Sequence, residues 1–564
     1  MESQRSQEND HELVIMPAPP SIQTVLPETP LAPAAKSISE NPTPRSRFKR
    51  ITSLIALFSA LFISALNATI MGTSIPTICR ELNSANGYAW ISGAYLLGST
   101  ASSPIWAKFS DIWGRKVVLL CAVTGFFFSS IICGLSSSMS MLIVGRALQG
   151  VAGGGLVLVI IVVSDLFSMR HRSAYLGLLE ITWCLAGGIG PVLGGAFAQH
   201  LTWRWNFWIV LPPCALAFVL LFFALDVHNP RTGMIEGLKA IDWAGSVCML
   251  ALLIMLLLGL NFGGVEYPWN SPTVICLIVF GAFMSILFIF SEKKLAQYPL
   301  IPLGLFRDWS NVAAMFVGFA QHFALYTGDF YLPFFFQSAK ALSPVAAGTI
   351  FLPLVLSESL TGLVSGWYIH HTGRYVELVW LGQVLLAAGF GSFIHWDANT
   401  GVAEMCGTQI LAGIGTGMLF TPPLIALQAR VPQKDTATAS ATFSLVRNVA
   451  TVLAVVTGQT IFQKGMDART GGLMGAGLDD SLRAAFAGNR AAASVGLIGE
   501  IADAGQRLAV EQAFAESLRG VWILDVCIVA AGFLCSPFLV KSKLSKEHVE
   551  TRTGLETEKA GEAT

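Results

Sequence analysis

Residues 140–164 read SMLIVGRALQGVAGGGLVLVIIVVS and carry a single charged residue, Arg146. This run decides the fold, because an α-helix of about twenty mostly apolar residues crosses the hydrocarbon core of a bilayer. Similar runs recur at 52–78, 88–107, 117–136, 174–198, 206–225, 241–261, 272–291, 311–336, 345–369, 376–395, 403–426, 437–461 and 520–540. The sequence therefore predicts an all-α integral membrane protein with about fourteen transmembrane helices.

The composition agrees with a membrane protein. Of 564 residues, 53% are hydrophobic and 12% are charged, whereas soluble domains carry about 25% charged residues. The formal net charge is zero, so the sequence lacks the excess of basic residues that would indicate a nucleic-acid partner. The ten cysteines form no CxxC pair and no Cys/His spacing typical of a metal site. We interpret them as small apolar packing residues and expect neither a metal nor a cofactor.

The placement of Lys and Arg orients the spans. Basic residues cluster in alternate loops, which the positive-inside rule assigns to the cytoplasm. Arg80, Arg204 and Lys340 are the exceptions on the outer side. An even number of spans then leaves both termini in the cytoplasm. The predicted cytoplasmic set is Arg115, Lys116, Arg170, Arg172, Arg231, Lys239, Lys293, Lys294, Arg307, Arg374, Arg430, Lys434, Lys541 and Lys543.

Two segments of the first half combine charge with glycine. The loop after the second span reads WAKFSDIWGRK at 106–116, and its Asp and Arg/Lys side chains could form a charge clamp around a tight turn. The clamp residues would be Asp111, Gly114, Arg115 and Lys116. The fourth span begins LIVGRALQG at 142–150. A charge such as Arg146 inside a membrane helix is expensive, which favours a functional role.

The fifth span carries GGIGPVLGG at 187–195, a pliable helix face formed by Gly190, Pro191, Gly194 and Gly195. It is followed by WRWNFW at 203–208, typical of an interfacial aromatic belt.

Taken in order, these segments resemble motifs A, B and C of the major facilitator superfamily. Together with the WRWNFW segment, they are similar to the fourteen-span drug:proton antiporter branch, and in particular to fungal toxin and secondary-metabolite efflux pumps. The resemblance covers about residues 51–540. It implies two six-helix bundles related by pseudo-symmetry, an inserted helix pair, and a central site near the midplane of the membrane.

This resemblance assigns boundaries to the domains. We expect the first bundle at 51–225, the inserted pair with its linkers at 226–310, and the second bundle at 311–540. Segments 1–50 and 541–564 are polar and are predicted to be disordered cytoplasmic tails. A long outer loop is expected at 463–519, and a weak helical period at 493–518 predicts a short amphipathic helix there.

One position departs from the family pattern. The first span reads LNATI at 66–70, whereas this branch commonly has an Asp at the position of Asn67. Because an amide does not titrate, a proton-carrying role is in doubt here, and Asn67 is kept as a candidate for the substrate cavity.

Proton coupling requires a group that changes its protonation state inside the membrane. Glu180, Asp329 and Glu358 lie within apolar runs, and they form the coupling candidates together with Arg146. The alternative for each acid is a structural hydrogen bond or ion pair, for example with Arg146 or Arg447. Arg447 is itself predicted to lie near the interface of the membrane.

Substrate contacts in such a cavity are expected to be apolar and aromatic. Phe319, Phe323, Tyr326 and Phe330 recur on one face of the ninth span. Three of them, Phe323, Tyr326 and Phe330, are the cavity candidates, although such a stripe is more often packing or lipid-facing surface.

These features predict proton-coupled export of small amphipathic molecules. Import or vacuolar transport of basic amino acids or siderophores is the alternative, because cationic substrates favour several acids in the cavity. A non-transporting membrane sensor would need a larger soluble tail, and no enzyme motif such as HExxH or GxSxG with its partners is present. The expected partners are a small-molecule substrate, protons and membrane lipid, without nucleic acid. We expect a monomer in the plasma membrane, with the vacuolar membrane as the alternative.

Overall fold

The computed structural model describes residues 47–82, 87–225, 227, 232–264, 267–295, 300–301, 303–432 and 435–544. The predictions for residues 1–46 and 545–564, and for Arg231 and Lys434, lie outside the described residues.

The described chain is helical almost throughout. Its first helices are α1 Arg47–Ile70, α2 Ile75–Glu81, α3 Gly87–Trp113, α4 Arg115–Gly134, α5 Met139–Gly154, α6 Leu158–Leu166, α7 Met169–His200, α8 Trp205–Trp208 and α9 Leu211–Ala224. The middle of the chain forms α10 Met234–Ala240, α11 Trp243–Phe262 and α12 Pro272–Lys294. The remaining helices are α13 Trp309–Ser338, α14 Pro344–Thr372, α15 Val376–Phe393, α16 Val402–Met418, α17 Pro422–Gln428, α18 Thr436–Gly475, α19 Asp480–Ala485 and α20 Ala504–Cys535.

Within the described residues, twelve helical segments are long and apolar enough to cross a bilayer, which confirms the predicted all-α membrane architecture. The predicted spans 88–107 and 311–336 coincide with α3 and α13, which have 27 and 30 residues but are not among these twelve segments. α1 begins at Arg47, a few residues earlier than expected.

Local sequence signals mark where several helices begin. The side chains of Ser138, Asp242, Ser271 and Ser343 each accept the backbone N–H three residues further on. This N-cap arrangement satisfies a donor that the first turn leaves unpaired. α14 ends at Thr372 and is followed by Gly373, whose φ of 71° is left-handed and therefore suits glycine.

The helices form two groups by their contacts. In the first helix group, α1–α9, α1 packs on α7 and α9, and α5 packs on α3 and α4. In the second helix group, α13–α20, α13 packs on α18 and α20, and α14 and α15 pack on α16. The two groups meet where α7 contacts α14 and where α3 contacts α18. α11 lies along this second junction, because it contacts both α3 and α18 as well as α12.

We define the basic end of the assembly as the end where α7 begins and α14 ends. Arg115, Arg170 and Arg374, three of the residues predicted to be cytoplasmic, lie there. At the opposite end Arg204, an exception to the positive-inside rule, is held by an ion pair of 2.8 Å with Glu81. Trp203 donates to the same carboxylate at 2.8 Å, so the first two residues of the WRWNFW segment both bind Glu81.

The prediction of a long loop at 463–519 is wrong for much of its length. α18 continues to Gly475 and α20 begins at Ala504, so much of the segment expected to be a loop is helical. The two extensions pack on each other, and Arg469 pairs with Glu516 across them at 2.9 Å. The predicted amphipathic helix is replaced by a 3-10 segment, Gly488–Glu500, and by the start of α20.

Candidate functional site

The clamp segment forms a buried charge network at the basic end. Arg115 is 2% exposed and donates from Nε to Asp165 Oδ2 at 2.8 Å. It also pairs through Nη1 with Asp111. Gly114 separates α3 from α4 with a φ of 91°, a conformation that L side chains rarely adopt. The network therefore ties the α3–α4 turn to the end of α6.

Lys116 does not join that network in the described structure. Its ammonium group lies 5.7 Å from the ring centroid of Phe222 in α9. The clamp predicted from the sequence thus consists of Asp111 and Arg115, with Asp165 as the partner at the end of α6.

The glycine-rich face of α7 packs against α1. The hydroxyl groups of Thr69, Thr73 and Ser74 donate to backbone carbonyls of α7, with Ser74 reaching Gly194 O at 2.9 Å. A Cβ at Gly190 would collide with Thr69, and a Cβ at Gly194 would collide with the backbone of Ile70. Small residues here permit close helix approach. The backbone carbonyl of Pro191 accepts the hydrogen bond from Thr73. Gly195 does not take part in this close contact, because no described atom lies within 4 Å of a Cβ added there.

Arg146 lies inside the first helix group and is 2% exposed. It donates to Ile91 O at 2.9 Å, to Asn67 Oδ1 at 3.1 Å and to Gln149 Oε1 at 2.6 Å. Its guanidinium group also stacks over Tyr95, 4.6 Å from the ring centroid. Asn67 and Arg146, two separate predictions from the sequence, therefore belong to one buried network.

Glu180 and Glu358 meet where the two helix groups cross. Glu180 of α7 is 2% exposed, and its side chain lies on Gly362 of α14, where an added Cβ would be 2.8 Å from Glu180 Cγ. Glu358 precedes Gly362 by one helical turn and so lies on the same face of α14. The two carboxyl groups interact electrostatically across the junction.

Arg447 faces this acid pair, and the prediction that it lies near the membrane interface is wrong. It is 6% exposed and interacts electrostatically with both Glu180 and Glu358. It donates to Gln321 Oε1 at 3.2 Å and to Phe420 O at 2.7 Å. These bonds orient the guanidinium group toward the crossing without a direct ion pair to either acid among the described residues.

Asp329 lies about two-thirds of the way along α13, yet its side chain is exposed. It interacts electrostatically with Glu358 and with the half-buried Tyr326. Tyr326 in turn interacts with Tyr95 of the first helix group. Asp329 and Tyr326 therefore line a space that both helix groups share.

The other aromatic candidates differ in their surroundings. Phe323 is 3% exposed and packs with Ala450 and Ala454 of α18 inside the second helix group. Phe330 is 37% exposed beside Asp329. Tyr326 and Phe330, rather than Phe323, are thus the aromatic side chains that reach open space.

A closed contact at the basic end was not foreseen. Arg170 of α7 donates at 2.7 Å to His370 O, one of the last carbonyls of α14. Arg172 donates at 2.8 Å to Gln428 of the second helix group. Between these residues and Glu180, the backbones of α7 and α14 approach closely, and a Cβ at Gly366 would be 3.0 Å from Gly177 Cα. The glycines at positions 177, 362 and 366 are the feature of the sequence from which this close approach could have been predicted.

Comparisons with known proteins agree with one another. The family model described as Major Facilitator Superfamily matches residues 57–455. The chain is 42% identical to the efflux pump dotC of Dothistroma septosporum over 90% of this chain and 87% of that protein. It is 32% identical to the efflux pump FUS6 of Gibberella moniliformis, over 96% and 97% of the two chains.

Among solved structures, the human organic anion transporter MFSD10 has a similar fold. Its TM-score is 0.54 at 16% identity, covering 85% of this chain and 99% of that one. At this identity the likeness concerns the fold alone.

Proposed function

The chain belongs to the Major Facilitator Superfamily, a family of transporters and not of enzymes, and from this premise we propose that it exports small amphipathic organic molecules in exchange for protons. Toxins, drugs or secondary metabolites are the substrate class we expect. Export as the direction is supported by the efflux pumps to which the chain is 42% and 32% identical over nearly their whole lengths.

The proposal includes the finer architecture. α3 and α13 would cross the membrane with the twelve apolar segments, giving fourteen spans. The first and second helix groups would be the two bundles at 51–225 and 311–540, and α11 and α12 the inserted pair. In this arrangement the bundles rock about a central site to give access to one side at a time. The plasma membrane is the proposed location.

One observation carries the coupling mechanism: Glu180 of the first helix group packs into the notch at Gly362 of α14, one helical turn from Glu358, and the two carboxyl groups interact electrostatically. Like charges at this crossing repel each other, whereas Arg447 can balance one negative charge. A proton on either carboxyl group would remove the repulsion and favour the closed crossing. Release of that proton would favour separation of α7 and α14.

Asp329 extends the acid pair toward open space. It is exposed and interacts electrostatically with Glu358, so it is placed to pass protons between the pair and water. The clamp of Asp111 and Arg115 would stabilise the conformation that is closed at the basic end. The same cluster of acids also favours the alternative, uptake of a cationic substrate such as a basic amino acid or a siderophore.

Transport by the purified protein in proteoliposomes would test the coupling. Uptake of a fluorescent amphipathic compound is measured with an imposed proton gradient, and again as exchange at equal pH on both sides. We expect Glu180→Gln and Glu358→Gln to abolish gradient-driven accumulation while exchange continues, because the amide keeps the size of the side chain but carries no proton.

Glu404→Gln is the matched control, since Glu404 is an exposed acid at the start of α16. It should behave as the unmodified protein does. Accumulation that persists in both core variants would exclude this acid pair as the coupling site. Accumulation driven by the opposite gradient direction would favour the importer.

A further inference from the structure

Arg146 differs from the other buried arginines of the described residues. Arg115 pairs directly with Asp165, and Arg172 also interacts electrostatically with Asp165. Arg447 interacts with Glu180 and Glu358. Each of these cations thus has an acid nearby, as expected for charges removed from water.

The described surroundings of Arg146 contain no carboxylate that pairs with it. Its three hydrogen-bond acceptors, Ile91 O, Asn67 Oδ1 and Gln149 Oε1, are all neutral. The other groups with which it interacts electrostatically are the thiol of Cys133 and the phenol of Tyr95, and neither is a carboxylate. The positive charge of the guanidinium group is therefore stabilised by hydrogen bonds to neutral groups, but no negative charge pairs with it in the described surroundings.

The side-chain amide of Asn67 places N–H donors without an acceptor next to this positive charge. A guanidinium group can only donate, so the amide oxygen of Asn67 must face Arg146. The amide nitrogen then points away, and among the described residues it is buried without a hydrogen-bond partner. A fully buried donor without an acceptor is costly. The site thus combines an unbalanced positive charge with a surplus of N–H donors.

The site lies close to the space shared by the two helix groups. Tyr95 covers Arg146 with its ring and is 7% exposed. Its hydroxyl group lies 3.3 Å from that of Ser64, and it interacts electrostatically with Tyr326 of α13. Ala68, next to Asn67, is exposed. Tyr95 therefore connects the guanidinium group of Arg146 with Tyr326, which lines that space.

We infer that Arg146 and the amide nitrogen of Asn67 form an anion site, which takes the carboxylate or a similar compact oxyanion of an amphipathic substrate when the Tyr95 ring moves aside. The Nη2 group of Arg146 makes none of its three hydrogen bonds, so it can donate to a carboxylate together with the amide nitrogen of Asn67. The Tyr95 and Tyr326 rings would contact the apolar part of the same molecule. This inference rests on the proposed function and narrows its substrates to organic anions.

The anion site is separate from the proposed coupling site. The acid pair of Glu180 and Glu358 interacts with Arg447, whereas neither acid interacts with Arg146 among the described residues. One part of the protein would thus recognise the negative substrate while another binds the proton.

Binding of a matched pair of probes to the full chain in nanodiscs would test the inference. The probes are a dansylated undecanoic acid and its methyl ester, which differ by one methyl group and by the negative charge that the acid carries at pH 7.4. We expect the acid to bind about tenfold or more tightly, the ratio that one charge-assisted hydrogen bond supplies. Because binding is measured without a proton gradient, the result does not depend on coupling.

Asn67→Asp is the decisive variant, because it places a carboxylate within reach of Arg146 and removes the unpaired donor. It should reduce the preference for the acid to about twofold or less, since the charge of Arg146 is then balanced internally. Arg146→Lys should retain part of the preference, because it keeps the charge but loses the forked donors. Asn399→Asp, at an exposed loop position, adds the same charge elsewhere and should leave the ratio unchanged.

An equal affinity of the unmodified protein for acid and ester would overturn the inference, as would an undiminished preference in Asn67→Asp. The measurement is repeated with sodium chloride replaced by sucrose at equal osmolality. If chloride competes and the acid gains no preference without it, the site serves an inorganic anion and the organic-anion assignment is wrong. Gradient-driven uptake of the ester reports separately on the proposed function.

Discussion

Replacing Gly366 with alanine should open the basic end of the protein. A Cβ at this position would lie 2.5 Å from Ser173 O and 3.0 Å from Gly177 Cα in α7. Ordinary contact begins at 3.4 Å, so α7 and α14 would have to separate by roughly 0.9 Å at this crossing. Overpacking against backbone atoms costs about 1–3 kcal/mol. The closed conformation would be disfavoured by roughly 5- to 150-fold relative to an open one.

Distances between the helix groups provide the assay. Spin labels on non-canonical residues at the exposed positions 117 in α4 and 372 in α14 report the spacing at the basic end. In nanodiscs, Gly366→Ala should raise the ratio of the long-distance population to the short-distance population by roughly 5- to 150-fold. Gly188→Ala is the control on α7, because no described atom lies within 4 Å of its added Cβ. A folded Gly366→Ala protein with an unchanged distance distribution would refute the idea that this crossing sets the closed state.

Two further substitutions test the packing of the first helix group. Arg115→Ala removes the ion pairs to the buried Asp165 and to the partly exposed Asp111, and only the weaker interaction of Arg172 with Asp165 is then known to remain. It should lower the free energy of unfolding by about 3 kcal/mol, measured by thermal unfolding in detergent, and Arg115→Lys should recover part of the loss. Ser74→Ala removes the buried hydrogen bond to Gly194 O and should cost about 1 kcal/mol, whereas Ser285→Ala, whose bond is exposed, should cost close to nothing; equal losses would contradict the role assigned to the α1–α7 contact.

The membrane spans could be predicted because their signal is local. An apolar run of sufficient length, bounded by caps such as Ser138 or Ser271, determines a membrane helix whatever its neighbours are. The outer extensions of α18 and α20 could not be predicted from such a local signal. They lie beyond the apolar runs and are stabilised by each other, for example through Arg469 and Glu516. Such pairwise stabilisation is not visible until the partner helix is known.

Some residues of the candidate site could likewise be predicted from the sequence, whereas the surroundings of others could not. Arg146, Glu180 and Glu358 stand out because a charge within an apolar run is rare and costly. Arg447 has the same character, yet its burial depends on how Phe420 and Gln321 of neighbouring helices enclose it. Similarly, nothing local shows that Arg146 would be left without an acid partner. That property depends on every helix packed around it.

The glycine notch links the chemistry of the acid pair to the geometry of the crossing. Glu180 fits against α14 only because Gly362 has no side chain, and Gly366 permits the same close approach one turn further on. The distance between the carboxyl groups of Glu180 and Glu358 therefore changes whenever α7 and α14 separate. A proton that is favoured by the short distance loses that advantage when the crossing opens, because the repulsion it relieved falls with distance. Movement and proton release would thus be coupled through this single contact, without a longer relay between them.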